Sequence, residues 1–325
     1  MLAARANVAR SLRRSGGACD DEGVDVSVVV VAYDMGRELP RTLRSLSPSV
    51  QLGLEGHRLE LIVVDNGSPT PVDPAAAAAA AGTDVAVIRL DPAPPSPARA
   101  ANVGIGAASG ELVGLIVDGA RIASPGLVAG AVAAAGLANA GLADEPVITA
   151  PGYHLGAVPH MRAAEVGHDQ AAEDALLAAS GWEDDGYRLF AHCCFGGSSS
   201  RGWFGPMGES SSLFLSAERW AELGGLDERF ELPGGGLVNH DLYRRACSQP
   251  DATLVQLLGE GTFHQFHGGA ATSRRFGWDE MHDDYIARRG ERYVPPPNRP
   301  IHLGRMPAGA LGLLEHSVRW LADHQ

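Results

Sequence analysis

From Val26 onward, continuous apolar runs alternate with amphipathic or small-residue stretches. VSVVVVAY predicts a strand, RELPRTLRSL a helix, LELIVVD from Leu59 a strand, the Ala75 to Ala81 tract a helix, VAVIRLD a strand, PARAANVGIGAA a helix and LVGLIVD from Leu112 a strand. The apolar runs do not alternate with polar residues, which is the pattern of strands covered by helices on both faces. Repeated strand-helix-strand units of this kind predict an α/β fold with a doubly wound, mainly parallel sheet. The alanine tract is accounted for by its high intrinsic helix propensity.

Farther along, Ser124 and Pro125 read as cap and first-turn residues of a helix through GLVAGAVAAAGLANAG, and PVITAPGYHLG reads as one strand. From Trp182 the chain turns polar and glycine-rich, a long irregular stretch of the kind that shapes a pocket. SLFLSAERWAELGG then predicts a strand-helix unit, VNHDLYRRAC a helix and ATLVQLLGEG a late strand. Roughly the last 45 residues read as helices separated by a turn from Pro295 to Pro300. No internal repeat is visible.

Composition narrows the function classes. A chain of 325 residues with 45% hydrophobic content can bury a sizeable core in one large or two merged domains. The formal charge of −13 argues against broad electrostatic binding to nucleic acid or anionic lipid. All 26 basic residues are arginine, which removes P-loop lysine and Schiff-base chemistry. Cys19, Cys193, Cys194 and Cys247 lack zinc-finger or CxxC spacing, so a reducing, cytoplasmic setting is expected. No apolar run reaches the roughly 18 residues of a membrane span, and no stable membrane insertion is expected. Residues 1–24 read as a flexible, basic N-terminal extension.

The chemistry concentrates where strands end. LELIVVDNGS closes an apolar run with Asp65, an amide and a glycine, and LVGLIVD closes another with Asp118, followed by Gly-Ala-Arg. Ligands of open α/β sheets bind at the carboxyl ends of the strands, so two such carboxylates point to a nucleotide site with room for a metal. The turn after the first strand reads AYDMGRE and carries no GxGxxG, which argues against a dinucleotide-binding dehydrogenase or methyltransferase.

VSVVVVAYDMGRELPRTLRSL, LELIVVDNGSPT, ANVGIGAASGELVGLIVDGARIASPGLV and SLFLSAERWAELGGLDERF occur in an order that resembles the family 2 glycosyltransferases. The resemblance runs from about Val26 to about His267. It implies the GT-A (nucleotide-diphospho-sugar transferase-like) fold: a mainly parallel sheet flanked by helices. The domain would span 25–270, with a nucleotide-binding half at 25–122, an acceptor-binding half at 123–270 and a C-terminal helical extension at 271–325. The implied activity is transfer of a sugar from a nucleoside-diphosphate sugar to a hydroxyl acceptor, inverting and assisted by Mn²⁺ or Mg²⁺.

In the resemblance, Ala32 and Tyr33 lie near the nucleotide's base, and Asp65 accepts a hydrogen bond from base or ribose. Arg99 and Asn102, three apart on one helix face, reach toward nucleotide or diphosphate. Asp118 is the first carboxylate of the DxD motif, here Asp118-Gly119-Ala120, so the second acidic ligand is absent and Arg121 stands close by. His264, with His267 three residues on, is the expected substitute ligand; a mixed Asp/His set suits Mn²⁺ or Zn²⁺ better than Mg²⁺.

On the acceptor side the segment Gly234-Gly235-Gly236-Leu237-Val238-Asn239-His240-Asp241-Leu242 places Asn239 where the family carries its base. Asn cannot take a proton at neutral pH, so Asp241 is the expected base, with His240, Glu231 and Glu209 in reserve. Trp182, Trp203 and Phe204 are candidate stacking surfaces for a sugar ring. Two other readings remain open: a GT-A-like domain that binds sugar nucleotide or glycan without chemistry, motivated by Ala120 and Asn239, and a nucleotidyltransferase.

Overall fold

The computed structural model describes residues 25–267 and 277–324. The N-terminal extension at 1–24 lies outside the described residues, as does the 270/271 division. The first half runs β1 (Val26–Ala32), α1 (Leu39–Ser45), β2 (Leu59–Asp65), α2 (Pro74–Ala81), β3 (Val85–Arg89), α3 (Ala98–Ala107), β4 (Leu112–Ile116), β5 (Arg121–Ala123) and α4 (Leu127–Asn139). The second half runs β6 (Glu145–Ala150), β7 (Gly152–Leu155), α5 (Gln170–Ser180), β8 (Cys193–Phe195), β9 (Ser212–Ser216), α6 (Ala217–Leu223), α7 (Val238–Cys247), β10 (Ala252–Leu258), β11 (Thr262–His264), α8 (Trp278–Arg289), β12 (Ile301–Gly304) and α9 (Leu311–Asp323).

Eight strands form one sheet in the order β12-β10-β6-β9-β4-β1-β2-β3. All neighbours are parallel except β9, which runs antiparallel to both β4 and β6. The expected double winding follows from burial on both faces. Val29, Val31, Ile62 and Val64 pack with α3, α6 and α7 residues such as Ala101, Trp220 and Leu242. Val28, Val30, Leu61 and Val63 pack on the opposite face with α1, α2 and α4 residues such as Leu43, Ala77 and Val128. Successive strand residues point to opposite faces, so both sets must be apolar.

Local chemistry sets the helix boundaries. Asp73 accepts from the Ala75 amide to cap α2, and left-handed Gly82 ends it. Asp169 caps α5 through the Ala172 amide, and Ser216 caps α6 through Arg219. The sequence expectation fails at Ser124: α4 starts at Leu127, and the Ser124 hydroxyl instead donates to buried Glu260 at 2.5 Å.

Two further differences shape the site. PVITAPGYHLG is two strands: β6 lies in the large sheet, whereas β7 belongs to a four-stranded sheet of order β5-β11-β7-β8. Pro151, which has no amide to donate, stands at the break. The tail is not purely helical either, because β12 pairs in parallel with β10 and Tyr285 and Tyr293 enter the main core. No helix of the described residues is long and apolar enough to cross a membrane.

Candidate functional site

Register places the strand-end residues on one rim. Ala32 pairs with Asp65, and Val30 pairs with Ile116, so Asp118, two residues past β4, comes level with Ala32. The small sheet brings the late loop to the same rim by pairing His264 with Arg121. Asp118 and His264, distant in sequence, thereby approach to 3.7 Å between Oδ2 and Nε2.

Around Asp118 the donors are mixed. Its Oδ1 accepts from the Ala120 amide at 3.0 Å and its Oδ2 from Arg121 Nε at 2.8 Å. His264 Nε2 lies 3.0 Å from His267 Nε2, and His264 Nδ1 is buried with no hydrogen-bond partner. One ligand atom each from Asp118, His264 and His267 falls within 4.8 Å of the others. Burial, Arg121 and the neighbouring His267, His154 and His160 hold the His264 imidazole well below its usual range. An imidazole nitrogen from each histidine and a partly exposed carboxylate oxygen form a donor set that fits a divalent cation such as Mn²⁺ or Zn²⁺. Arg121 already donates to Oδ2 and places its positive charge there. Ala120 is fully buried and its carbonyl accepts from the Gln265 amide, so its position is filled by packing.

Asp65 does not behave as expected. It is 1% exposed; Oδ1 accepts from the Ser68 amide, and Oδ2 accepts from the Val72 amide and from Arg89 at 2.6 Å. Burial alone would raise its carboxyl, but these donors outweigh burial and hold it below the usual range. The carboxylate shapes its own turn and presents no oxygen to a ligand. Asn66 beside it was not singled out by the sequence: its Nδ2 donates to Pro94 O while Oδ1 is buried without a partner.

The remaining nucleotide-side candidates divide. Tyr33 is 54% exposed at the rim, available to a planar base. Ala32 is buried and, with Met35 and Leu39, crowds Gly119, where an added Cβ would lie 3.2 Å from the Ala32 Cβ. These two residues therefore contribute close packing, and the Gly119 carbonyl is held by Thr42 Oγ1 at 2.7 Å. Arg99 is exposed on α3. Asn102 is a clasp, its amide exchanging hydrogen bonds with the Leu226 backbone and donating to Glu228. It lines a separate cavity of about 430 Å³ with Asp227, Arg229, Arg245 and Arg289.

On the acceptor side Asp241 is withdrawn from proton transfer. It is 1% exposed, and its oxygens accept from Arg245 Nε at 2.8 Å and from Arg289 at 2.5 and 2.7 Å. Two guanidinium partners occupy both of its oxygens. His240, one residue earlier on α7, has a buried Nδ1 without a hydrogen-bond partner, 3.4 Å from Glu209 Oε2, and Glu209 Oε1 accepts from Ser198 Oγ. An imidazole close to a carboxylate is a candidate general base. Glu231 is exposed in the preceding loop.

The aromatic expectation is also corrected. Trp203 is fully buried and donates Nε1 to Tyr153 OH at 2.9 Å, while Trp182 lies in the same core and Phe204 packs edge-on to His302. The glycines and serines around Trp203 concealed a core role. The exposed indole is Trp278, 5.9 Å from the His240 ring. Its polar neighbours in GWDEMHDD were the available signal.

Residues 27–134 match the model of glycosyl transferase family 2. Comparison with curated proteins gives no match. Among solved structures, the 1–349 fragment of S. aureus TarS in complex with UDP-GlcNAc is 13% identical with a TM-score of 0.51, covering 93% of this chain and 72% of that one. A longer S. aureus TarS structure is 11% identical with a TM-score of 0.48 over 81% of this chain, which spans only 42% of its length. M. tuberculosis glucosyl-3-phosphoglycerate synthase, in complex with Mn²⁺, UDP-glucose and phosphoglyceric acid, is 20% identical with a TM-score of 0.48, over 85% of this chain and 82% of that one. The chain therefore has the GT-A fold, and its residues 27–134 match the glycosyl transferase family 2 model.

Proposed function

We propose that this chain transfers a sugar from a nucleoside-diphosphate sugar to a hydroxyl acceptor by a single, inverting displacement. The observation that carries the reading is the convergence of Asp118, His264 and His267 at the end of β4 in a chain with the GT-A fold. The neighbours solved with UDP-sugars support the donor class.

Asp118, His264 and His267 would hold a divalent cation, which when bound supplies positive charge to the departing diphosphate. Arg121, already at the carboxylate, adds fixed positive charge there. Tyr33 offers an exposed ring to the base, and Asn66 Oδ1 offers a buried acceptor to a ring N–H. On the acceptor side His240 takes the hydroxyl proton, with the Glu209 carboxylate 3.4 Å from its Nδ1. The acceptor oxygen then bonds to the anomeric carbon as that carbon's bond to the diphosphate oxygen breaks. Trp278 provides the apolar face for the acceptor.

The test is transfer, or donor hydrolysis, from UDP-, GDP-, CDP- and TDP-sugars with and without Mn²⁺. Turnover lost in Asp118→Ala supports the reading; turnover unchanged in that variant refutes the metal role. The non-catalytic reading draws on buried Ala120 and on Asp241 being fully engaged by arginines. Calorimetric nucleotide affinity without transfer across a broad acceptor panel would decide for it.

A further inference from the structure

The segment between β7 and β8 carries its own group of donors, separate from Asp118. One ligand atom each from His160, His168 and Glu173 lies within 4.8 Å of the others. His160 Nε2 faces the Leu155 carbonyl at 3.1 Å and so carries the proton, which leaves Nδ1 as a bare lone pair. That Nδ1 is buried and has no partner. His168 Nε2 is likewise buried without a partner, and its 3.7 Å separation from Glu173 Oε2 is too long for a hydrogen bond. Buried polar atoms are nearly always satisfied, so two unsatisfied imidazole nitrogens converging on one fully buried carboxylate call for a missing partner.

We propose that His160 Nδ1, His168 Nε2 and Glu173 form a second divalent-cation site, selective for Zn²⁺ over Mg²⁺. A backbone carbonyl fixing the far nitrogen is the usual support of a ligating imidazole. Two nitrogens with one carboxylate oxygen suit a small, borderline-soft ion, with water in the fourth position. The surroundings are built for it. The rings of His160 and His168 lie nearly parallel, 5.8 Å apart and 20° from coplanar, and Phe266 stands edge-on to both. The His168 ring sits against Gly156, where an added Cβ would come within 3.1 Å of it. His154 is excluded as a ligand, because its Nδ1 accepts from the His160 amide and its other nitrogen holds the proton.

The consequence is mechanical. Glu173 also accepts from the Phe266 amide at 2.6 Å and from Arg37 at 3.3 Å. A cation on Glu173 therefore ties the β7–β8 segment to α1's approach and to the chain just before His267. The site stands independently of the sugar-transfer reading.

The experiment uses the full chain, stripped by chelator, in an Asp118→Ala/His267→Ala background that removes the first cluster. Zn²⁺ alone is titrated calorimetrically, and Co²⁺ serves as the spectroscopic probe. The expected result is one equivalent bound, visible absorption of tetrahedral Co²⁺ and a raised Tm. Adding His168→Ala should abolish all three, whereas His168→Cys, which restores a ligand, should keep binding with a thiolate charge-transfer band. No Zn²⁺ or Co²⁺ uptake in the background variant overturns the proposal, as does uptake that His168→Ala leaves unchanged. Should His168→Ala fail to fold by circular dichroism, the His168→Cys band decides: its presence supports the site and its absence overturns it.

Discussion

The β2 end and the β4 end of the sheet are spelled almost alike, IVVD and LIVD, and lie level on one rim, yet they do different work. At β2 the carboxylate of Asp65 is consumed by two backbone amides and Arg89. At β4 the carboxylate of Asp118 is 21% exposed and shares its space with Arg121, His264 and His267. A strand-end acid is open to a ligand only where its own loop leaves it partly exposed and lightly bonded, as at Asp118, and not where it is buried under several donors, as at Asp65. After β2 the turn through Ser68 to Val72 folds back and donates; after β4 the chain enters β5 and delivers only one amide, that of Ala120.

The contrast can be broken by exchanging which property each acid controls. Asp118→Ala should reduce Mn²⁺-dependent kcat by about 10²–10³-fold, about 3–4 kcal/mol of barrier, with Tm little changed; steady-state kinetics beside calorimetric melting reads both. Asp65→Ala should do the reverse, costing about 3 kcal/mol of stability because Arg89 and two amides lose their acceptor, with kcat among folded molecules nearly intact. Denaturant unfolding measures it, and a stable Asp65→Ala protein that has lost nucleotide binding would return Asp65 to the ligand set.

Trp278→Ala sharpens the acceptor side with a smaller effect, raising acceptor KM about tenfold, roughly 1.4 kcal/mol, while donor KM stays constant. Trp203→Ala should instead lower stability, since that indole is in the core. The smallest effect concerns pH in the metal-free protein. His160, lowered to about 4 mainly by burial, binds a proton more readily when unfolded, so its contribution makes stability rise from pH 4 to 6.5. Glu173, raised to about 7 by burial, binds a proton more readily when folded, so its contribution falls between pH 4.5 and 7. The two oppose each other, and Glu173→Gln should steepen the rise of stability with pH across 4.5–6.5. Urea midpoints at several pH values test this, and an unaltered slope would contradict the assignment.

Sequence legibility followed physical locality. The parallel core was readable because unbroken apolar runs have few other homes, and Asp118 was readable as a strand end. The pairing of Asp118 with His264 was reached through resemblance and met by β5–β11 pairing. Trp203 misled because its partner Tyr153 is 50 residues away, and Asp241 because Arg289, 48 residues away, adds to the local Arg245 and takes up both oxygens. Those distant partners leave no local trace. His160, His168 and Glu173 were likewise silent, being brought together by a segment without strong periodicity.

What the residue order determined by itself was the alternation of elements, the two-faced core and the acids at the rim, since these follow from side-chain period and hydrophobicity along short stretches. Only the tertiary structure decided which of those acids stays available, which histidines converge and which aromatic meets solvent. Those outcomes depend on where distant hydrogen-bond donors and packing partners finish, and a carboxylate's chemistry is set by its neighbours in space.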